Sequence, residues 1–300
     1  MKIQAPEYYK DFKCIAHKCR HSCCIGWEID VDGDTAEKYL SMTEGYGRAV
    51  AQSIDTEGSP HFRLGEGDRC PHLDGNGLCR IILEMGEDSL CEICREHPRF
   101  YNATPCGMEV GVGISCEEAC RLVLSSDGYM NFTEAGEYEG SPLECGFDGV
   151  SEREKIYKIL SDRAVPYSDR LSSICEAYGV SPKDIEDQAW HRVFASLEYL
   201  DEAHKSLFSS YTSTPKYEKE AEPILERALA YFIYRHASPA EDTESFIASL
   251  GFAMTCERLL ASLLATDPDL GKAAEYARII SEEIEYSEEN TEAVKSEFLF

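Results

Sequence analysis

Cysteine is distributed in a way that constrains this chain more than any other feature. Of fourteen cysteines in 300 residues, eleven stand before residue 121: Cys14, Cys19, Cys23, Cys24, Cys70, Cys79, Cys91, Cys94, Cys106, Cys116 and Cys120. Cys145, Cys175 and Cys256 follow. Cysteines used as small apolar core residues would be spread along the chain. These instead crowd into stretches broken by Gly and Pro. The opening MKIQAPEYYKDFKC has no apolar run after its basic residue, so no secretory signal is expected and the thiols are expected to be cytoplasmic and reduced. In that setting such spacing points to metal or redox chemistry. Buried free thiols are the bland alternative, and a disulfide scaffold is the third.

The cysteines form four groups. The first is Cys14-x4-Cys19-x3-Cys23-Cys24, followed by Gly26 and Trp27. In the second, Cys70-Pro71-His72-Leu73 is separated from Cys79 by Asp74-Gly75-Asn76-Gly77, a turn signal that folds one thiol back toward the other. The third is Cys91-x2-Cys94-Arg95 with Pro98-Arg99, a spacing that suits soft metals. The fourth is Cys106, Cys116 and Cys120. Both zinc and iron–sulfur clusters take four thiolates. A zinc ribbon would repeat the C-x2-C knuckle, which occurs here once, and it seldom carries a vicinal pair. Eleven thiols exceed one four-ligand site, so two centres and extra non-ligand thiols both stay open. His17, His21, His72 and His97 lie near these groups as substitute ligands.

Beyond the cysteines the pattern changes. Three segments are expected: a Cys-rich metal-binding domain over 1–125, a linker or strap over 126–150, and a helical domain over 151–300. The fold class is mainly α, an irregular Cys-rich part with short strands followed by a helical bundle of about six helices. Ile224, Leu225, Ala228, Leu229, Phe232 and Ile233 make one apolar stripe; Trp190, Phe194, Leu197 and Leu200 make another. Ser151-Glu152-Arg153-Glu154 reads as a capping box. Ser181-Pro182, Ser238-Pro239 and Asp267-Pro268 read as caps followed by proline at the first helical position. In the first part, helices are expected around Thr35–Leu40 and Leu78–Met85, and extended pieces at Trp27–Val31 and Met108–Ile114.

Charge excludes two partner classes. Twenty-nine basic against 56 acidic residues give a net −27. Residues 1–125 hold 13 basic and 21 acidic side chains, a balance of −8, which leaves −19 for the remainder. Such a surface repels nucleic acid and anionic membranes and suits a lysine-bearing protein partner. The longest apolar stretch, Phe246 to Ala265, is interrupted by Glu257 and Arg258, which argues against a membrane span.

Three runs also resemble a known family. Phe12-x-Cys14-x4-Cys19-x3-Cys23-Cys24-x-Gly26-Trp27 resembles the opening of the flagellin lysine N-methylases, within a broader zinc- or iron-chelating cysteine-cluster group. Arg69-Cys70-Pro71-x-Leu73, Leu78-Cys79-x-Ile81 and Leu90-Cys91-x2-Cys94-Arg95-x2-Pro98-Arg99 resemble the central block, and Ser115-Cys116-x-Glu118-Ala119-x-Arg121 the third element. The third element is usually written with Pro after its Cys, where Glu117 stands here. The resemblance implies methylation of lysine on a flagellin-like protein, with S-adenosylmethionine and a [4Fe–4S] cluster. It implies that the metal ligands are among Cys14, Cys19, Cys23, Cys24, Cys70, Cys79, Cys91, Cys94 and Cys116. Cys106 and Cys120 fall outside its pattern.

The methyl-donor site is harder to place. The C-x3-C-x2-C of radical enzymes is absent, because Cys24 follows Cys23 directly. Gly107-x3-Gly111-x-Gly113 is the nearest to a Gly-rich donor loop, without a following helix. Arg95 and Arg99 are candidates to hold the donor's carboxylate or cluster sulfurs, against a plain ion pair at a helix end. Two other function classes compete with the methylase: a structural zinc- or iron-chelating binding module, and a cluster-based redox protein.

Overall fold

The computed structural model describes residues Met1 to Leu299 and is mainly α-helical. It divides into two compact units that are discontinuous in sequence, so neither coincides with 1–125 or 151–300. One comprises Lys13–Arg99 with Cys116–Glu118; the other comprises Met1–Phe12, Phe100–Ser115 and Ala119 onward.

The smaller unit contains four short helices: α1 (Gly33–Leu40), α2 (Gly45–Ser53), α3 (Arg80–Met85) and α4 (Glu92–Glu96). The expected helices near Thr35 and Leu78 are therefore present. Asp32 holds two helix starts with one carboxylate. Its Oδ1 accepts from the Thr35 amide at 3.0 Å, and its Oδ2 accepts from the Glu92 amide at 2.8 Å. Ile54–Asp55 pairs with His61–Phe62. The piece expected at Trp27–Val31 makes no regular strand. It bonds to residues 60–62 through Phe62 N to Ile29 O and Val31 N to Pro60 O. The core is small: Ile29, Val31, Ala36, Tyr39, Val50, Ile54, Phe62, Ile81 and Leu90 close around Cys70 and Cys91.

The larger unit opens with a four-stranded sheet: β1 (Lys2–Pro6), β2 (Arg99–Thr104), β3 (Gly107–Val112) and β4 (Phe132–Glu137), in the order β2-β3-β1-β4. β1 runs parallel to β3 with Ile3 opposite Met108, and antiparallel to β4 with Lys2 opposite Glu137. β3 is the extended piece expected at Met108–Ile114. β4 lies inside the stretch expected as linker or strap. Its sequence FTEAGE is mostly exposed, so backbone pairing alone makes it a strand and its side chains carry no alternation.

The helices follow: α5 (Glu117–Ser125), α6 (Gly149–Ser161), α7 (Tyr167–Tyr178), α8 (Asp187–Ser196), α9 (His204–Phe208), α10 (Glu222–Phe232), α11 (Thr243–Thr266), α12 (Ala273–Ile280) and α13 (Glu288–Lys295). Among the described residues beyond α5 there are eight α-helices, not about six. The expected caps are partly displaced. Asp148, not Ser151, caps α6, because its longer-reaching carboxylate takes both the Ser151 amide at 3.1 Å and the Ser151 hydroxyl at 2.6 Å. Asp242 caps α11 in a reciprocal box with Ser245, and Ser238 starts no helix. Asp269 rather than Asp267 caps the turn before α12. Ser181 does cap, over the short 3-10 turn Pro182–Asp184.

α11 is the core of this unit. It is the one described helix long and apolar enough to cross a membrane, and 94% of its apolar window is buried inside the protein. Glu257 and Arg258 are buried on it as a pair, and the Tyr167 hydroxyl donates to Glu257 at 3.0 Å. A lone buried charge there would be costly; paired and hydrogen-bonded it is tolerated.

Candidate metal centre

All nine cysteines that fit the sequence pattern lie in the smaller unit, and Cys106 and Cys120 lie in the larger one. All fourteen are present as thiols. Local turns explain much of the gathering. After Cys23-Cys24, Gly26 takes φ +83°, a left-handed backbone that suits glycine. The chain reverses there: Gly26 N donates to Asp68 O at 3.0 Å and Cys70 N to Cys24 O at 2.8 Å. Cys24 is thereby tied to Cys70. The Asp74 carboxylate then accepts from the amides of Asn76 and Leu78, both at 2.8 Å, while Gly77 takes φ +76°. That turn sets Leu73 opposite Cys79 and returns the chain toward Cys70. Cys91 is the N-cap residue of α4, and Cys94 lies one turn on with its thiol hydrogen-bonded to that of Cys91. Cys70 and Cys91 are buried in the core, and Cys24, Cys79 and Cys94 pack against it.

The remaining four are more open. Cys14 and Cys23 are exposed, while Cys19 and Cys116 are half-buried. Cys19 Sγ donates to His21 O at 3.2 Å and approaches Glu117 Oε2 at 3.7 Å. Glu117 in turn accepts from the Arg20 amide at 2.8 Å and from Arg20 Nε at 3.0 Å. Glu117 thus clamps the Cys19–Arg20 loop beside Cys116.

The thiols feel one another electrostatically. Burial, with Cys24 and Cys79 nearby, pushes Cys70 up to about 11. Burial also raises Cys79, and with Glu117 and Cys116 nearby it takes Cys19 to about 11. Cys23 is raised because its proton is shared toward Cys24, and the bond it donates lowers Cys24 to about 7. Cys94 and Cys91 repeat that division, Cys94 raised and Cys91 lowered. Cys70, Cys79, Cys19, Cys23 and Cys94 are thus held toward the protonated thiol, and a cation taking them as thiolate ligands would displace those protons. The spacing bears on which centre fits. Four thiolates on one zinc at Zn–S 2.3 Å stand about 3.8 Å apart. Among the described residues no three of these thiols lie within 4.8 Å of one another; the one set of His, Cys, Asp or Glu side chains that does is His204, Glu282 and Glu283. There Glu283 is already taken up, bonding the Leu200 amide at 2.7 Å and His204 Nδ1 at 2.6 Å.

The histidines divide. His72 has both ring nitrogens occupied, by Tyr46 Oη at Nδ1 and Ser53 Oγ at Nε2, each at 2.8 Å. It is a packed core residue, and burial pushes it down to about 4. His97 is different: its Nε2 is buried and without a partner, a feature its sequence context did not distinguish. His17 is exposed and His21 half-buried. Tyr39, absent from the sequence-based candidates, packs next to Cys79, Cys91 and Cys94 and donates its hydroxyl to Ser89 O.

Arg95 is half-exposed on α4 and pairs with Glu96 at 3.3 Å. Arg99 Nη1 donates to Arg95 O at 3.4 Å. The structure therefore places both at a helix end. The Gly107–Gly113 run is a sheet strand, and a side chain at Gly111 would strike the Phe100 and Tyr234 rings. Its glycines serve close packing, which removes it as a donor loop. In the larger unit Cys120 donates to Ala274 O at 3.2 Å, Cys256 is buried on α11, and Cys145 donates to Phe147 O at 3.0 Å.

Against known proteins, 142 residues are 27% identical to lysine-N-methylases of Salmonella choleraesuis and Salmonella typhimurium, covering 44% of this chain and 35% of each relative. A match of the same length, 26% identical, covers 82% of a flagellar biosynthetic protein FliU of Salmonella muenchen. The chain thus spans about a third of the two methylases it matches. No family model and no solved structure matches. The chain is similar to the lysine-N-methylases over under half of its length.

Proposed function

We propose that this chain is a protein-lysine N-methyltransferase of the cytoplasm that uses S-adenosylmethionine, acts on a flagellin-like protein, and carries a [4Fe–4S] cluster in its cysteine unit. The observation that carries the reading is the assembly of all nine pattern cysteines in one unit, in a chain similar to lysine-N-methylases. The donor set fits such a group. It is thiolate-rich, hence soft, and nine thiols in one unit are more than enough for the four a cluster takes. When bound, such a cluster supplies a Lewis-acidic, redox-capable centre.

The chain's own residues do the rest. Tyr39, Leu90, Val31 and Phe62 pack with the buried Cys70 and Cys91, and the low dielectric there strengthens electrostatic interactions at those thiols. The Asp32 carboxylate fixes Cys91 by holding the first turn of α4. A net charge of −27 draws in a lysine-bearing substrate. The test is anaerobic purification followed by incubation with S-adenosylmethionine and a flagellin. A brown protein that contains iron and sulfide, and that adds methyl groups to lysine by mass spectrometry, supports the reading. A colourless protein that holds stoichiometric zinc and transfers no methyl group would overturn it.

A further inference from the structure

We propose that the cysteine unit carries two thiolate-bound metal centres: an inner one drawn from Cys24, Cys70, Cys79, Cys91 and Cys94, and an outer one on Cys14, Cys19, Cys23 and Cys116. This goes beyond the activity proposed above and takes from that reading only the cluster in the cysteine unit.

The partition stands on geometry. Nine thiols are one more than two four-thiolate centres require and five more than one requires. The inner five belong to a single packed core: two are buried in it and three lie against it. None of the outer four belongs to that core. The outer four have a scaffold of their own. Glu117 binds the Arg20 amide and guanidinium and approaches Cys19, so it pins the first cysteine loop beside Cys116. Glu117 stands next to Cys116 in the chain, at the place where the related pattern has proline. A proline there could not make this clamp. The same division recurs in the thiols' influence on one another: Cys23 is near Cys14 and Cys116, and Cys19 near Cys116, whereas Cys24, Cys70, Cys79, Cys91 and Cys94 are near each other. The two sets meet at the Cys23–Cys24 peptide, whose residues are neighbours in the chain.

The outer centre is the more solvent-exposed of the two, since Cys14 and Cys23 both face water. It is accordingly expected to lose metal first, because solvent and chelators reach its ligands directly. Nucleophilic reagents should likewise label its cysteines before those of the inner set.

The experiment counts metal and acid-labile sulfide per chain in the anaerobically purified full-length protein, and repeats the count for Cys19→Ser, Cys116→Ser and Glu117→Gln. The wild type is expected to hold about twice the iron and acid-labile sulfide of a single cluster. Extra iron with sulfide supports the inference; extra zinc in place of it, whose four ligands stand closer together than these thiols do, overturns it. Cys19→Ser and Cys116→Ser should lose that increment and keep the visible chromophore. Glu117→Gln retains shape and all nine thiols, and should release the increment faster to a chelator. A wild-type content of one centre overturns the proposal even if every variant misfolds. So does bleaching of the whole chromophore by Cys116→Ser in a protein with wild-type circular dichroism. One centre with methyl transfer intact defeats this inference alone. Two centres without methyl transfer defeat the proposed activity alone.

Discussion

The two units of this protein are stabilised by different means. In the larger one, α11 is buried along nearly all of its length, and residues such as Trp190, Phe194, Phe208 and Phe232 are fully buried in the same unit. That is an ordinary hydrophobic core. The cysteine unit has four helices of five to nine residues, a two-residue ladder and a core with five cysteines in or against it. Helices that short are marginal without tertiary support. The lesson is that its shape is held by turns and by shared carboxylates such as Asp32 and Glu117, and that the proposed metal would add the support its small core lacks.

The sharpest way to break this comparison is to take away the proposed metal. Chelation under reducing conditions should unfold the cysteine unit and leave the larger unit cooperatively folded. Hydrogen exchange would then show amides of α1 to α4 losing protection while those of α10 and α11 keep theirs. Binding free energy of a thiolate site is folding free energy when no preformed site survives its loss. Equal loss of protection in both units would mean that they are not stabilised differently.

The next effect lies in the larger unit. Glu226 is buried and accepts from the Tyr129 hydroxyl, from Arg170 and from Arg163. Replacing it by glutamine keeps the volume but leaves Arg170 buried without its counter-ion, a loss of about 3–5 kcal/mol. Denaturant unfolding of the Glu226→Gln protein should show it in the larger unit's transition alone. The pH dependence has a definite sign. Burial pushes Glu226 up, but the hydrogen bonds from Tyr129, Arg170 and Arg163 outweigh it and hold the carboxyl below its ordinary value. Its contribution is therefore complete above the unfolded carboxyl pKa and is lost as pH falls through the folded one. Acid titration of the wild type against Glu226→Gln should show the two stabilities converging as pH falls.

Much of the cysteine unit was legible because its pairings are local. Asp-Gly-Asn-Gly between Cys70 and Cys79 is a turn whose mechanism the side chains announce, and the C-x2-C on α4 is one helical turn. The division into five and four thiols was not legible. Cys116 joins the unit from a distant part of the chain through the Glu117–Arg20 contact, and no periodicity encodes that. In the larger unit the stripes on α8 and α10 are readable as core, except that Leu200 lies past the end of α8 and is exposed, because the helix stops at Ser196 and its 3.6-residue period no longer applies. β4 was not, because an exposed edge strand is made by backbone pairing. The cap of α6 was misplaced by three residues because both Asp148 and Ser151 are good caps, and the two bond to each other. Gly111 is ambiguous in the sequence for a different reason. Glycine spacing looks alike whether a strand needs room for Phe100 or a loop needs room for a ligand.

A smaller effect is expected at Gly26. With φ +83° and open space where a side chain would stand, Gly26→Ala should cost about 1–2 kcal/mol through backbone strain alone. Its consequence should be local, loosening the reversal that ties Cys24 to Cys70. The measurement is the rate of metal loss to a chelator compared with wild type. An unchanged rate would mean that the Cys24–Cys70 tie does not limit release.

The smallest effect separates scaffold from ligand within the cysteine unit. Asp32 caps α1 and receives the first amide of α4, whose N-cap residue is Cys91, and its charge is felt at the Cys91 thiol. Its carboxyl sits below the usual range: burial opposes this, but the bonds from Glu92 and Thr35 outweigh it. Asp32→Ala removes both caps and should cost about 1 kcal/mol, in the range of a single N-cap loss. Asp32→Asn keeps an oxygen for one amide and should recover part of it. If the metal is what chiefly holds this unit, both variants should be nearly silent in the loaded protein and clearly destabilised in the stripped one. Thermal melts of the two variants with and without metal make that comparison. An Asp32→Ala penalty equally large in the loaded protein would show that polar caps, rather than thiolate ligation, carry the unit's stability.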